Sequence, residues 1–155
     1  MPPEPQDLDA LPEITAAALA QAGYLPVQVS VFDHWLEESE ADAEPLLFYA
    51  LALQKGALPA YLAGERQFLA FYRRLAEDGA WIRVNGTARP LEPAELEMIL
   101  LSSLRENQPM DIWFESPPVR VLGGYDRTDT VLTRSADAAA WVSALAREKG
   151  LFVLE

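Results

Sequence analysis

Apolar side chains recur at helical spacing through the first half of this chain and at strand spacing through its last third. "PEITAAALAQAGY" (12–24) is an Ala-rich run that predicts a short helix closing near Gly23, where a left-handed cap costs glycine little. "PVQV" (26–29) could equally be a short strand. In "SVFDHWLEESE" (30–40), Ser30 followed three residues later by Asp33 resembles a capping box with Asp in the Glu position, which predicts a helix. "PLLFYALALQKG", from Pro45 to Gly56, has proline at the first turn, glycine at the end and apolar residues all round, so it is expected to be the most buried helix. The next run, residues 58–79, repeats Leu58, Tyr61, Leu62, Phe68, Leu69, Tyr72 and Leu75 close to a 3.6-residue period and stops at Gly79.

The period changes at Trp81. "WIRVNGTARPL" holds two short extended runs around Asn85-Gly86, the dipeptide favoured where both central positions of a tight hairpin need positive φ. "EPAELEMILLSSLREN" restarts a helix at Pro93, with Leu96, Ile99, Leu100 and Leu104 on one face. "MDIWFES" alternates, setting Met110, Ile112 and Phe114 against Asp111, Trp113 and Glu115, and "PVRVLGG" and "TDTVLTR" read as two further strands. Ser135 caps the helix "ADAAAWVSALAREK", Gly150 closes it and "LFVLE" is a last strand. The expected fold class is α+β, a helical N-terminal half packed with a small, mostly antiparallel C-terminal sheet. Residues 1–11, rich in proline and acid, read as a flexible arm; 12–155 read as one domain, helical over 12–79 and mixed over 80–155.

Charge sharpens this picture because it is unevenly placed. The net charge is −12, yet residues 1–54 hold ten acids and no Lys or Arg, whereas the remainder holds fourteen acids and twelve bases. A field of that sign repels phosphate backbones and anionic lipid and draws in a basic protein partner. The absence of cysteine excludes disulfides, thiolate metal sites and cysteine nucleophiles. No apolar run approaches the roughly 20 residues needed to span a bilayer, and the N-terminal stretch lacks the pattern of a signal peptide, so the expected location is the cytoplasm.

Candidate chemistry is sparse. His34 is the sole histidine, no serine sits in a nucleophile elbow, and no glycine-rich phosphate loop precedes a helix. Neither a cofactor nor a metal is expected, and the chain reads as a non-enzyme. The stretch "GGYDRTDT" (123–130) reads as a hairpin connection in which Gly123-Gly124 supplies positive φ; the competing reading makes Asp126 and Asp129 a metal or acid–base pair with Arg127 as an anion clamp. Acids fill five of the eight positions 37–44, without the spacing of a calcium loop. They read either as a solvated connector or as a contact surface. The leading expectation is an inhibitor or immunity-type protein that neutralises a basic toxin or nuclease through Glu37, Glu38, Glu40, Asp42 and Glu44, with Trp113, Tyr125 and Arg127 as further contacts. Trp113 shares its strand face with Asp111 and Glu115, a face expected either to meet solvent or a neighbouring helix or to form an aromatic and acidic docking surface. The alternative is a secretion chaperone or assembly adaptor that holds a client segment in an apolar groove.

Overall fold

A computed structural model describes residues 15–84, 87–124 and 126–155. The N-terminal arm, the Asn85-Gly86 turn and Tyr125 lie outside the described residues. In chain order the elements are α1 (Ala16–Gln21), β1 (Leu25–Ser30), α2 (Glu38–Ala43), α3 (Tyr49–Gln54), α4 (Leu58–Leu75), β2 (Ala80–Val84), β3 (Thr87–Pro90), α5 (Pro93–Leu104), β4 (Asp111–Glu115), β5 (Pro118–Leu122), β6 (Thr128–Thr133), α6 (Ala136–Glu148) and β7 (Phe152–Leu154). The strands form one sheet in the order β3-β2-β4-β5-β6-β1-β7, and every pairing is antiparallel. The fold is α+β, with most of the helical residues before the main run of strands. The N-terminal half also contributes β1, which lies inside the sheet between β6 and β7.

Strand alternation divides the core into two layers. Val27, Val29, Ile112, Phe114, Val119, Val121 and Val131 point to one face, where Phe68, Phe71, Tyr72 and Leu75 of α4, Leu96 and Leu100 of α5, and Val142 and Leu145 of α6 cover them. The sequence "FLAFYRRL" delivers those four α4 side chains at one helical stripe, and burying each contributes about 2–3 kcal/mol. Tyr72 stacks against Phe68 and Phe114, with ring centroids 5.8 and 6.2 Å apart. On the opposite face Trp81, Trp113, Leu122 and Leu132 form a smaller layer with Tyr24, against which Leu19 and Ala22 pack. Ends behave as the caps predict: Ser135 Oγ accepts from Ala138 N, and Gly23, Gly79 and Gly150 take positive φ beyond their helices.

The segment between β1 and α4 departs from expectation. No helix starts at Ser30: the residue ends β1 opposite Thr128, which donates its hydroxyl to Ser30 Oγ, and the same oxygen accepts from Phe32 N. Strand pairing has taken the residue that would have capped a helix. The helix forms later, as α2. The apolar run at 45–56 gives only six residues of helix, α3, in which Ala52 alone is buried, while Phe48 and Leu53 are exposed. α3 packs on α4 rather than on the sheet, whose core face is already covered by α4, α5 and α6. Among the described residues no helix is long and apolar enough to cross a membrane.

Candidate functional site

The chain leaves the sheet at Ser30, makes the excursion 31–48 and returns through α3. The β5–β6 connection lies beside that excursion and holds it. Arg127 Nη1 donates to Leu46 O at 3.3 Å and Nη2 to Tyr61 O at 3.0 Å, with the guanidinium 4.0 Å over the Tyr61 ring. The backbone carbonyl of Arg127 accepts from Val31 N. Thus Arg127 fastens both ends of the excursion that carries the acidic stretch, at Val31 and at Leu46. Burial makes the protonated form of Arg127 less favourable and lowers its pKa, although Tyr61, Glu65 and Asp129 oppose that shift.

Gly64 on α4 makes this arrangement possible. A Cβ there would sit 3.0 Å from both Arg127 Nη2 and Val31 Cγ1. Elsewhere in a helix, Gly→Ala stabilises by about 1 kcal/mol. Here Gly64→Ala is expected to bring no gain, and Gly64→Leu to cost at least about 2 kcal/mol in urea unfolding, because the added side chain presses on the buried guanidinium and on Val31.

Glycines serve the turn differently from the sequence expectation. Gly123 and Gly124 are not the left-handed residues; Asp126 (φ 57) and Arg127 (φ 53) are. The two glycines are needed for closeness: a Cβ on Gly124 would run into Thr128 O, and one on Gly123 would meet Met110 Cβ at 3.0 Å. Gly124 N–H donates to Asp129 Oδ1 at 3.2 Å, and Asp129 Oδ2 accepts the Tyr72 hydroxyl. Asp129 is buried, and burial raises its pKa to about 6 against the opposing pull of those two donors. Both of its oxygens are thereby engaged inside the protein, and Asp126, half-buried on the turn, does not share them. Among the described residues no three His, Asp or Glu side chains are grouped to hold a metal ion.

The excursion itself is acidic and open. Glu37, Glu38, Glu40 and Asp42 are exposed, and Glu44 is half-buried with Oε1 accepting from Leu46 N at 3.1 Å. His34 bridges two carboxylates, Nδ1 to Asp33 at 2.6 Å and Nε2 to Glu40 at 2.7 Å. Two acceptors require both ring nitrogens to donate, so hydrogen bonding to Asp33, then to Glu40, raises the pKa of His34 and favours imidazolium. Glu37, Glu38 and Asp42 make no ion pair among the described residues. Flanking these acids, Trp35 is 51% exposed and Phe48 48%. Trp35 Nε1 donates to Glu155 O at 2.9 Å, which fixes the indole with its ring in solvent.

Two sequence-predicted contacts are therefore corrected. Trp113 is buried because α1 and Tyr24 pack over the second face of the sheet, and Arg127 is buried because it fastens the excursion from beneath. Tyr125 lies outside the described residues. The exposed aromatics are instead Trp35, Phe48 and, on β7, Phe152, of which the first two flank the acids and were expected inside helices. Their one signal was adjacency to unneutralised acids. No family model, curated protein or solved structure matches this chain.

Proposed function

We propose that this is a small acidic binding protein that docks on a basic protein, of the toxin or nuclease-domain kind, and covers its working surface. The observation that carries the reading is the juxtaposition of the exposed carboxylates of Glu37, Glu38 and Asp42, which make no ion pair among the described residues, with the exposed rings of Trp35 and Phe48 on one anchored excursion. Like charges on an exposed helix steer a basic partner and raise its encounter rate, while large rings that lose water on contact slow its departure. Arg127 supports the same reading from below, since a pre-positioned surface loses less entropy on binding.

Salt-graded affinity capture followed by kinetics on the isolated partner tests it. Replacing Glu37, Glu38, Glu40, Asp42 and Glu44 with lysine is expected to lower the association rate constant by about tenfold or more at low salt and to abolish its salt dependence. Trp35→Ala is expected to act mainly on dissociation, speeding it by about thirtyfold, as for a central aromatic anchor. Unchanged kinetics in both variants would remove this surface from consideration. A client held in an apolar groove would bind with little response to salt.

A further inference from the structure

Residues 31–48 carry the carboxylates of Asp33, Glu37, Glu38, Glu40, Asp42 and Glu44 and no Lys or Arg, so His34 is their single source of positive charge. We propose that His34 is a proton-operated clasp: as imidazolium it ties α2 to the start of the excursion, and on losing its proton it lets α2 go. The clasp is a property of the free protein and does not depend on the partner proposed above.

α2 needs a fastening of this kind. No residue of the helix is buried, its N-cap Glu37 makes no side-chain capping bond, and six residues are too few for a helix to persist unaided in water. Its own charges oppose it as well. Glu38 and Asp42 stand four residues apart, the spacing at which like charges on a helix repel. Against this, Nε2 of His34 reaches Glu40, in the middle of the helix, at 2.7 Å. The other end of the clasp is fixed. Nδ1 bonds Asp33 at 2.6 Å, and the chain on either side of that pair is tied down, Val31 N to Arg127 O and Trp35 Nε1 to Glu155 O.

The proton count makes the clasp conditional. An imidazolium has two N–H donors and satisfies both carboxylates; a neutral imidazole keeps one N–H, and its other nitrogen turns a lone pair toward a carboxylate oxygen. One of the two contacts is then lost. Adjacency in the chain keeps Asp33 beside the ring, so the contact given up is the one with Glu40, six residues on. The charged groups that face the ring are Asp33 and Glu40, and their bonds to it hold its pKa above the ordinary 6.5. A group whose pKa rises on folding contributes in full below its unfolded value and stops contributing as pH climbs through the folded one. The acidic surface is therefore held in one arrangement below about pH 6.5 and released above the raised midpoint.

The test uses the full chain labelled with ¹⁵N. Its sole histidine gives one imidazole titration curve, and the amides of Glu38–Ala43 report the order of α2. The imidazole midpoint is expected above that of the same chain unfolded in urea. Order parameters of the α2 amides are expected at about 0.85 near pH 5.5 and below about 0.6 beyond the midpoint, with those of α4 and α6 unchanged. Glu40→Gln is expected to lower the midpoint and to flatten the response of α2 to pH. His34→Gln, also at an exposed position, is expected to leave the α2 amides below about 0.6 at both pH values. A midpoint at or below the unfolded one, α2 amides equally ordered on both sides of it, or a midpoint unmoved in Glu40→Gln would each overturn the clasp.

Discussion

Asp129→Asn is expected to match the parent protein in stability at pH 4 and to exceed it by about 3 kcal/mol at pH 8. The folded protein raises the pKa of Asp129 to about 6, and burial is the chief cause. An unfolded aspartate titrates near 3.9. Below about pH 4 the side chain is protonated in both states and asparagine imitates it. Between about pH 4 and pH 6 the unfolded chain gives up its proton first, so the parent loses stability as pH rises. The loss is about 1.4 kcal/mol per unit and is complete above pH 6. Asparagine removes that slope while preserving the local bonds: its carbonyl accepts from Gly124 N, and its amide donates to the Tyr72 oxygen, which becomes an acceptor. Carboxylates with lowered pKa values, such as Glu95 beside Arg89, change stability in the opposite direction, but equally in both proteins, so they cancel in the difference. Urea unfolding of the pair at several pH values measures it; parallel stability curves would show that Asp129 is not protonated in the folded protein at pH 5.

Arg127→Ala is expected to lower stability by about 3 kcal/mol and to speed hydrogen exchange across residues 31–48. The side chain supplies two hydrogen bonds to carbonyls and a ring contact, together worth about 2–4 kcal/mol, and its removal leaves Leu46 O without this donor. Alanine is also disfavoured at a positive φ, so Arg127→Gly should recover about 1 kcal/mol. Arg127→Lys retains the charge but lacks the planar fork that reaches both carbonyls, and it should fall between the parent and alanine. The exchange measurement carries the functional weight. If residues 31–48 exchange no faster in Arg127→Ala, the acidic surface is ordered without the anchor.

Local signals in the sequence identified elements wherever one periodicity met a matching end. α4 follows from its apolar stripe, α6 from Ser135 and Gly150, and β4 from the alternation of Ile112 and Phe114 against Trp113. They failed over residues 30–48, where the deciding contacts come from far along the chain. Ser30 looked like a helix cap because its true partner, Thr128, is remote. The apolar run at 45–56 looked like a core helix because composition cannot say which faces of the sheet are already occupied. The same blindness exchanged the tryptophans. Trp113 shares a strand face with two carboxylates, and only the packing of Tyr24 and α1 over that face reveals its burial. The glycines of 123–124 carried a correct message, that the backbone is crowded there, but the reason is the approach of Thr128 and Met110 and not the sign of φ.

The position of β1 sets a timetable for the chain. The strand is complete by residue 30, yet the hydroxyl that meets Ser30 lies 98 residues later, and Phe152, its partner on the other side, comes later still. During synthesis β1 must therefore wait, unpaired on both edges, while α4 and the β2–β3 strands emerge. Contacts this far apart in sequence slow folding and lengthen the exposure of open strand edges. The ten acids of the first 54 residues give the stretch that holds β1 a single sign of charge, which disfavours its association with other copies while the strand edges are open.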